Sequence, residues 1–179
     1  MKPFSALMSA AALLTVGLPS PVAAALPTPP QAAASQEAQA YLFHAGAGDV
    51  FEITSSMLAV LKSQKPEVRA FATKLIEHHT MTTNQTLTAA KTGGVMPPPP
   101  ELSTMQKDMI AQLHAAEPGA AFDRLYMQQQ VPAHQMALQV NSGYAQGGDN
   151  STLRQNAAAA VPIIQQHLAE AQQLLGRFR

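Results

Sequence analysis

The chain has 179 residues, in which 11 Lys and Arg residues balance 11 Asp and Glu residues, and it contains no Cys and no Trp. This length fits one domain of ordinary size. A formal net charge of zero argues against binding to nucleic acid. The absence of Cys excludes disulfides, thiolate metal sites and a cysteine nucleophile.

Residues 1–25 have the pattern of a bacterial secretory signal peptide. Lys2 precedes an apolar run at residues 4–18, and three alanines at 23–25 offer a cleavage site. The run is shorter than the roughly 20 residues that span a bilayer. No Cys follows it for lipid attachment. We expect cleavage, a periplasmic or secreted mature chain and no transmembrane segment after cleavage; the alternative is a retained amphipathic anchor.

The rest of the chain is predicted to be a short leader followed by one helical domain. Residues 26–34 are rich in proline and are expected to be a disordered leader. Residues 35–176 show helical spacing of apolar side chains without strand-like alternation. Four long helices and one short helix are predicted, at residues 35–62, 66–91, 101–116, 120–145 and 151–175.

Proline and glycine mark the ends of these helices. Pro66 opens the second helix, four prolines at 97–100 form a stiff break, and Asn150 or Ser151 is the expected N-cap of the last helix. Pro132 and Pro162 fall inside helices, and each is expected to kink its helix and release a carbonyl group.

Apolar spacing predicts which faces of the first two helices are buried. The stripe predicted for the first helix contains Leu42, Val50, Ile53, Met57, Val60 and Leu61. The stripe predicted for the second helix contains Val68, Phe71, Leu75, Ile76 and Leu87. Gly46 and Gly48 weaken the first helix or allow a neighbour to approach closely.

The lengths of the connections predict the topology. Short loops make two antiparallel helical hairpins, whereas the link between the hairpins contains a helix of about 16 residues, or roughly 24 Å. Such a link can return along the whole length of a bundle. The sequence therefore predicts an all-α, ferritin-like four-helix bundle, in which a long crossover joins two hairpins.

This topology brings four metal-ligand side chains to one level of the bundle. Glu52, His79, His134 and His167 lie roughly 14–22 Å from the end that holds the first hairpin turn, given a rise of about 1.5 Å per residue. Without the crossover they would disperse. Histidine and carboxylate ligands suit Fe, Mn, Zn, Cu or Ni. Asp123 is predicted to be a nearby carboxylate that supports the ligands.

The other candidate ligands are weaker. His44 and His114 are expected to be solvated or capping residues, and His78 is expected to point away from the face that His79 occupies. The Glu-x-x-His motif of di-iron bundles is absent, which disfavours a ferroxidase centre. Met81, Met127 and Met136 lie near histidines in the sequence and could supplement a Cu(I) site, but methionine more often fills bundle cores.

Six short segments resemble a bacterial family catalogued as domain of unknown function 4142. In the first half they are Phe-Glu-Ile at 51–53, Pro-Glu-Val-Arg-Ala-Phe-Ala at 66–72 and His-Thr at 79–80. In the second half they are Phe-Asp-Arg-Leu-Tyr at 122–126, Val-Pro-Ala-His-Gln at 131–135 and Pro-Ile-Ile-Gln-Gln-His-Leu at 162–168. The resemblance covers residues 38–175.

The resemblance implies an exported, ferritin-like four-helix domain, often labelled a predicted outer membrane protein, and no established reaction. The family usually has Asp before the histidine that corresponds to His79, whereas this chain has His78. Any association with the envelope is expected to be peripheral.

The leading hypothesis is an exported helical bundle that binds a transition metal in its interior. The alternative is a metal-free structural or interaction protein of the bacterial envelope, in which the histidines form buried hydrogen bonds. A metal-dependent redox enzyme is a third and weaker hypothesis. No catalytic residue and no organic cofactor are predicted.

Overall fold

A computed structural model describes residues 31–178. The helices in chain order are α1 (Gln31–Lys62), α2 (Pro66–Thr92), α3 (Thr104–Ala115), α4 (Ala120–Gly147) and α5 (Ser151–Leu175), followed by one turn of 3-10 helix (Gly176–Phe178). This confirms the predicted all-α fold class. The predicted signal peptide lies outside the described residues.

The first helix starts earlier than the sequence predicts. The expected leader covers residues 26–34, of which 26–30 lie outside the described residues. Its last part is helical, because α1 begins at Gln31. Residues 31–34 are Gln-Ala-Ala-Ala, and both residue types are strong helix formers, so the helix extends into the leader.

Side-chain caps fix the starts of two helices. Ser103 and Gln106 form a reciprocal capping box at the start of α3, which therefore begins later than predicted. Asn150, one of the two predicted N-caps of α5, accepts from the backbone N–H groups of Thr152 and Leu153, each at 3.1 Å. These caps satisfy amide groups that a helix end otherwise leaves without partners.

The direction of α4 relative to α1 establishes the topology. Tyr41, early in α1, bonds to Asn141, late in α4, at 3.1 Å. Ser56, late in α1, lies 2.8 Å from the hydroxyl of Tyr126, early in α4. The two helices are therefore antiparallel. Since short loops also make α2 antiparallel to α1, α2 and α4 run in the same direction, as the predicted crossover requires.

The crossover, residues 93–119, follows α1 from one end to the other. Near the start of α1, Gln39 Nε2 donates to the carbonyl of Met96 at 2.6 Å. At the end of α1, Lys62 Nζ donates to the carbonyl of Ala116 at 2.8 Å. The crossover thus returns the chain to the level at which α1 ends, and α4 starts there.

The bundle interior has two apolar cores with a polar layer between them. The first core lies toward the α1–α2 turn and includes Val68, Phe71, Leu113, Phe122, Tyr126 and Leu174. The second core lies at the opposite end and includes Tyr41, Leu42, Ala90, Tyr144 and Leu153. Buried polar side chains between them include Glu52, Ser55, His79, Gln130, His134 and His167.

The predicted apolar stripe of α1 is partly wrong. Leu42 is buried, but Met57 is 54% exposed and Leu61 is 79% exposed. Ser55 and Ser56 are fully buried instead. The inward face of α1 beside the polar layer carries small and polar residues. A prediction based on the spacing of large apolar side chains therefore assigned residues of the outward face to the interior. Along α2, Leu87 is similarly exposed, although Val68, Phe71 and Leu75 are buried as predicted.

The internal prolines occupy the outer surface of the bundle. Pro132 and Pro162 are both exposed within continuous helices. The carbonyl groups that lose an amide partner belong to the residues four positions earlier, Gln128 and Ala158. Both of these residues are exposed, so water can reach the released carbonyls. This outward placement limits the free-energy cost of the released carbonyl groups.

Candidate metal centre

Three histidines from three helices meet in the polar layer. His79 of α2, His134 of α4 and His167 of α5 each offer a nitrogen atom, and these three atoms lie within 4.8 Å of one another. The ring centroids are 5.4–5.9 Å apart. All three residues are buried, and His134 and His167 are each only 1% exposed. We call this group the histidine trio.

Each imidazole of the trio has one nitrogen hydrogen-bonded outside the trio. His79 Nδ1 lies 2.8 Å from Asp49 Oδ1, and His134 Nδ1 lies 2.9 Å from the carbonyl of Gln130. His167 Nε2 lies 2.8 Å from Nδ1 of His78. The other nitrogen of each ring is buried and has no hydrogen-bond partner. The unpartnered atoms are His79 Nε2, His134 Nε2 and His167 Nδ1.

The hydrogen-bond partners outside the trio indicate which ring nitrogen of each histidine carries the hydrogen. A carboxylate and a carbonyl can only accept, so His79 and His134 carry hydrogen on Nδ1 and keep a lone pair on Nε2. His167 can donate from Nε2 to His78, which leaves the lone pair of His167 on Nδ1. In the neutral form of each ring, the unpartnered nitrogen is therefore a free base. Metal-binding histidines have this arrangement, in which an outer hydrogen bond fixes the ring and its tautomer.

Asp49 is itself held in position by α2. Thr83 Oγ1 donates to Asp49 Oδ2 at 2.7 Å, and Thr82 Oγ1 lies 3.4 Å from Oδ1. Sequence reasoning did not select Asp49. A usable signal was present, because Asp49 lies three residues before Glu52 and therefore on the same side of α1.

Burial and neighbouring charges have opposite net effects on the pKa values of His167 and His79. Burial, together with the neighbouring His134, His79 and His78, lowers the pKa of His167 to about 2, so this ring stays neutral. Burial alone would lower the pKa of His79. The hydrogen bond that His79 donates to Asp49 and the negative charges of Glu52 and Asp49 outweigh burial and raise the pKa of His79.

The two predicted carboxylates lie outside the trio. Glu52 is 3% exposed, and its Oε1 atom lies 3.6 Å from His134 Nδ1, on the side of the ring that faces away from the other histidines. Its Oε2 atom is buried without a hydrogen-bond partner. Asp123 is also buried, but 11 positions along α4 separate it from His134, or roughly 16 Å at the usual helical rise. The structure thus gathers the three predicted histidines and leaves Asp123 remote.

His78 faces a different environment from His79, as expected, but it contacts the trio, which the sequence did not predict. Its ring stacks on that of His167, with centroids 5.0 Å apart and planes at 25°. Adjacent residues of a helix lie about 100° apart, so we expected His78 and His79 to face different environments. His79 points to the bundle interior, whereas half-buried His78 reaches sideways to α5. His44 and His114 are exposed, as expected.

The three methionines that lie near histidines in the sequence do not join the trio. Met81 and Met136 are 41% and 55% exposed, and Met127 is buried in the first apolar core. The donors at the centre are thus three imidazole nitrogens. Three atoms within 4.8 Å of one another share a point within about 2.8 Å of each, and metal–imidazole bonds measure about 2.0–2.1 Å. Inward shifts below about 1 Å would bring all three nitrogens to bonding distance of one ion.

The family assignment agrees with the sequence segments that suggested it. A family model described as "Domain of unknown function (DUF4142)" matches residues 23–174. The chain belongs to this family. No curated protein matches it.

A solved structure with the same fold is described as "CopM in the Cu(I)-bound form". It is 19% identical in sequence to this DUF4142 protein, with a TM-score of 0.66, and the match covers 79% of this chain and 96% of that chain. At this identity the likeness establishes a shared fold. Among residues 31–178, no helix has the length and apolar character that crossing a membrane requires.

Proposed function

We propose that this DUF4142 protein binds one transition-metal ion in the interior of its bundle, through His79 Nε2, His134 Nε2 and His167 Nδ1. The observation that carries the proposal is the convergence of three buried nitrogens without hydrogen-bond partners. Buried polar atoms almost always have partners in folded proteins, and a metal ion would satisfy all three at once. Glu52 is the proposed neighbouring carboxylate of the site.

The three nitrogen donors limit the range of metals that the site is expected to bind. Imidazole nitrogen suits Zn, Cu, Fe and Ni, whereas Mg and Ca prefer oxygen ligands. Three protein ligands leave room for a further ligand on a tetrahedral ion. Copper gains support from the fold neighbour, which is described as bound to Cu(I). Among the metals named from the sequence, Mn is the least suited to three imidazoles.

The test is a metal titration of the purified chain lacking residues 1–25. We expect one equivalent of Zn(II) or Cu(I) to bind and to raise the midpoint of thermal unfolding, because an ion that binds only the native state stabilises it. His79→Ala and His134→Ala should each abolish stoichiometric binding. His114→Ala is the matched control, because His114 is exposed on α3. A wild-type chain that stays folded and gains no stability from either ion would contradict the proposal.

We also propose that the protein acts outside the cytoplasm. The support is the signal-peptide pattern of residues 1–25. Mass spectrometry of the protein recovered from a periplasmic extract should give a chain that begins at Leu26. Recovery of the intact chain from the cytosol would contradict this assignment.

The second candidate function is a metal-free structural or interaction protein of the envelope. The exposed apolar side chains at the end of α1, Met57, Val60 and Leu61, favour it, because such side chains are candidates for contact with a partner. The same titration separates the two functions. In the second, the trio is only structural, and His134→Ala lowers stability equally with and without added metal.

A further inference from the structure

Helix α1 gives the trio negative charge and no imidazole. Asp49 contacts the outer nitrogen of His79 at 2.8 Å, and Glu52 approaches the outer nitrogen of His134 at 3.6 Å. The two carboxylates lie three positions apart and so share one face of the helix. Three bundle helices therefore supply neutral donors, and the fourth supplies two carboxylates.

No Lys or Arg side chain in the described part of the chain forms an ion pair with either carboxylate, whose partners are the outer nitrogens of His79 and His134. Lys74, whose charge helps to lower the pKa of His167, is paired with Glu170 at 2.7 Å. That pair contributes little net charge to the site. The charge of the polar layer is thus set by Asp49 and Glu52.

Glu52 is the more deeply buried of the two carboxylates. Its side chain is 4% exposed, against 16% for Asp49, and its Oε2 atom has no hydrogen-bond partner. Removing a carboxylate from water is costly unless an opposite charge compensates it. A cation held by the trio would lie on the far side of the His134 ring and would supply this compensation.

We propose that the trio binds a divalent ion more tightly than a monovalent ion, and that the negative charge of Glu52 increases this difference in affinity. This inference rests on the proposed metal site. Three neutral imidazoles and two carboxylates are neutralised by one divalent ion, whereas Cu(I) leaves one negative charge uncompensated in the interior. Glu52 does not coordinate the ion; its charge attracts the ion across the ring of His134.

The expected size follows from Coulomb attraction across the His134 ring. We take an effective dielectric constant near 20 and a separation of several ångströms between the carboxylate and the ion. Removing the carboxylate charge then weakens binding on the order of tenfold for each unit of charge on the ion. Glu52→Gln should therefore weaken the binding of Zn(II) by about a hundredfold and the binding of Cu(I) by about tenfold. The ratio of the two affinities then falls by about tenfold.

Zn(II) and Cu(I) are suitable probes because both have a filled d shell and no geometric preference from d electrons. Anaerobic competition titrations would compare the wild type, Glu52→Gln and Asp123→Asn. Asp123 is a matched control, since it is also a buried carboxylate without partners but lies far along α4. We expect the affinity ratio to fall in Glu52→Gln and to stay unchanged in Asp123→Asn.

A second readout uses copper alone. A tenfold fall in Cu(II) affinity relative to Cu(I) raises the one-electron reduction potential of bound copper by about 59 mV. Glu52→Asp, which keeps the charge, should restore the wild-type potential. If Glu52→Gln does not fold, Asp49→Asn removes the other charge and can still accept from His79, and the ratio must shift in the same direction.

Equal weakening of both ions in Glu52→Gln, or an equal change in Asp123→Asn, overturns the inference and leaves the metal site intact. A wild-type chain that binds neither ion overturns the metal site itself. The two failures are therefore distinguishable.

Discussion

His78 and His167 are joined by a contact of 2.8 Å between His78 Nδ1 and His167 Nε2, although they lie on different helices. This contact fixes the ring of His167 and directs its Nδ1 atom to the centre of the trio. His78 is half-buried, so it connects the buried site with the surface of the bundle. An outer partner of this kind tunes a metal ligand without touching the metal.

The first prediction concerns this outer histidine. His78→Ala should weaken Zn(II) binding by about tenfold to a hundredfold, because the ring of His167 loses the partner that orients it. His78→Asn should recover part of the loss, since its side-chain oxygen can accept from His167. Titration with a chromophoric competitor measures both. His44→Ala, on the exposed face of α1, is the control, and an affinity for His78→Ala equal to that of the wild type would contradict the assignment.

A second prediction uses two glycines of α1. A Cβ atom at Gly46 would lie 3.3 Å from the Cβ of Pro100 in the crossover, whereas a Cβ at Gly48 meets nothing within 4 Å. Gly46→Val should lower the free energy of unfolding by roughly 1–3 kcal/mol, because it pushes the crossover away from α1. Gly48→Ala should raise it by about 0.5–1 kcal/mol, because alanine favours the helix. Urea denaturation measures both; similar effects in the two variants would mean that the crossover is not seated on Gly46.

A third prediction concerns the buried hydroxyl pair of Ser56 and Tyr126, whose oxygens are 2.8 Å apart. Tyr126→Phe should lower the free energy of unfolding by about 1–3 kcal/mol, because Ser56 keeps a buried hydroxyl without its partner. Ser56→Ala should cost a similar amount. In the double variant the loss should be smaller than the sum of the two, as for groups that bond directly. Strict additivity in urea denaturation would argue against this contact.

A fourth prediction concerns alkaline pH. Burial, with a contribution from the charge of Asp49, raises the pKa of Tyr41 from 10.0 to about 12. Between these values the unfolded chain releases the phenolic proton while the folded chain keeps it. The stabilising contribution is therefore complete below pH 10 and is lost as pH rises toward 12, on the order of 2 kcal/mol. Unfolding curves of the wild type should show this loss.

The control for the alkaline prediction is Tyr41→Phe. It removes the titrating group but keeps the ring that stacks on Tyr144, with centroids 4.1 Å apart. Its stability should decline less steeply above pH 10 than that of the wild type. The pKa of Tyr144 is also raised, mainly by burial, so part of the decline remains in the variant. An identical slope in the two proteins would exclude Tyr41 as a source of the alkaline loss.

Helix positions and topology could be predicted because proline, glycine and loop length act locally. Pro66 and Asn150 mark helix starts within one turn of the chain, and the long link between hairpins requires the crossover. The convergence of His79, His134 and His167 then follows from rise per residue. These features need no knowledge of side-chain packing.

The outer partners of the site could not be predicted in the same way. Asp49 could have been found from its spacing to Glu52. His78 and the carbonyl of Gln130 act through hydrogen bonds whose geometry depends on the distance between helices and on rotamers. Spacing of apolar residues was also misleading on α1, because the polar layer replaces large side chains there with Ser55 and Ser56. A buried polar layer removes the signal on which an amphipathic pattern depends.

The crossover is the single covalent link between the two hairpins. An ion in the trio would bind one helix of the first hairpin and both helices of the second. It would therefore cross-link the two hairpins near the middle of the bundle. Removal of the ion would then loosen the seam between the hairpins more than either hairpin itself.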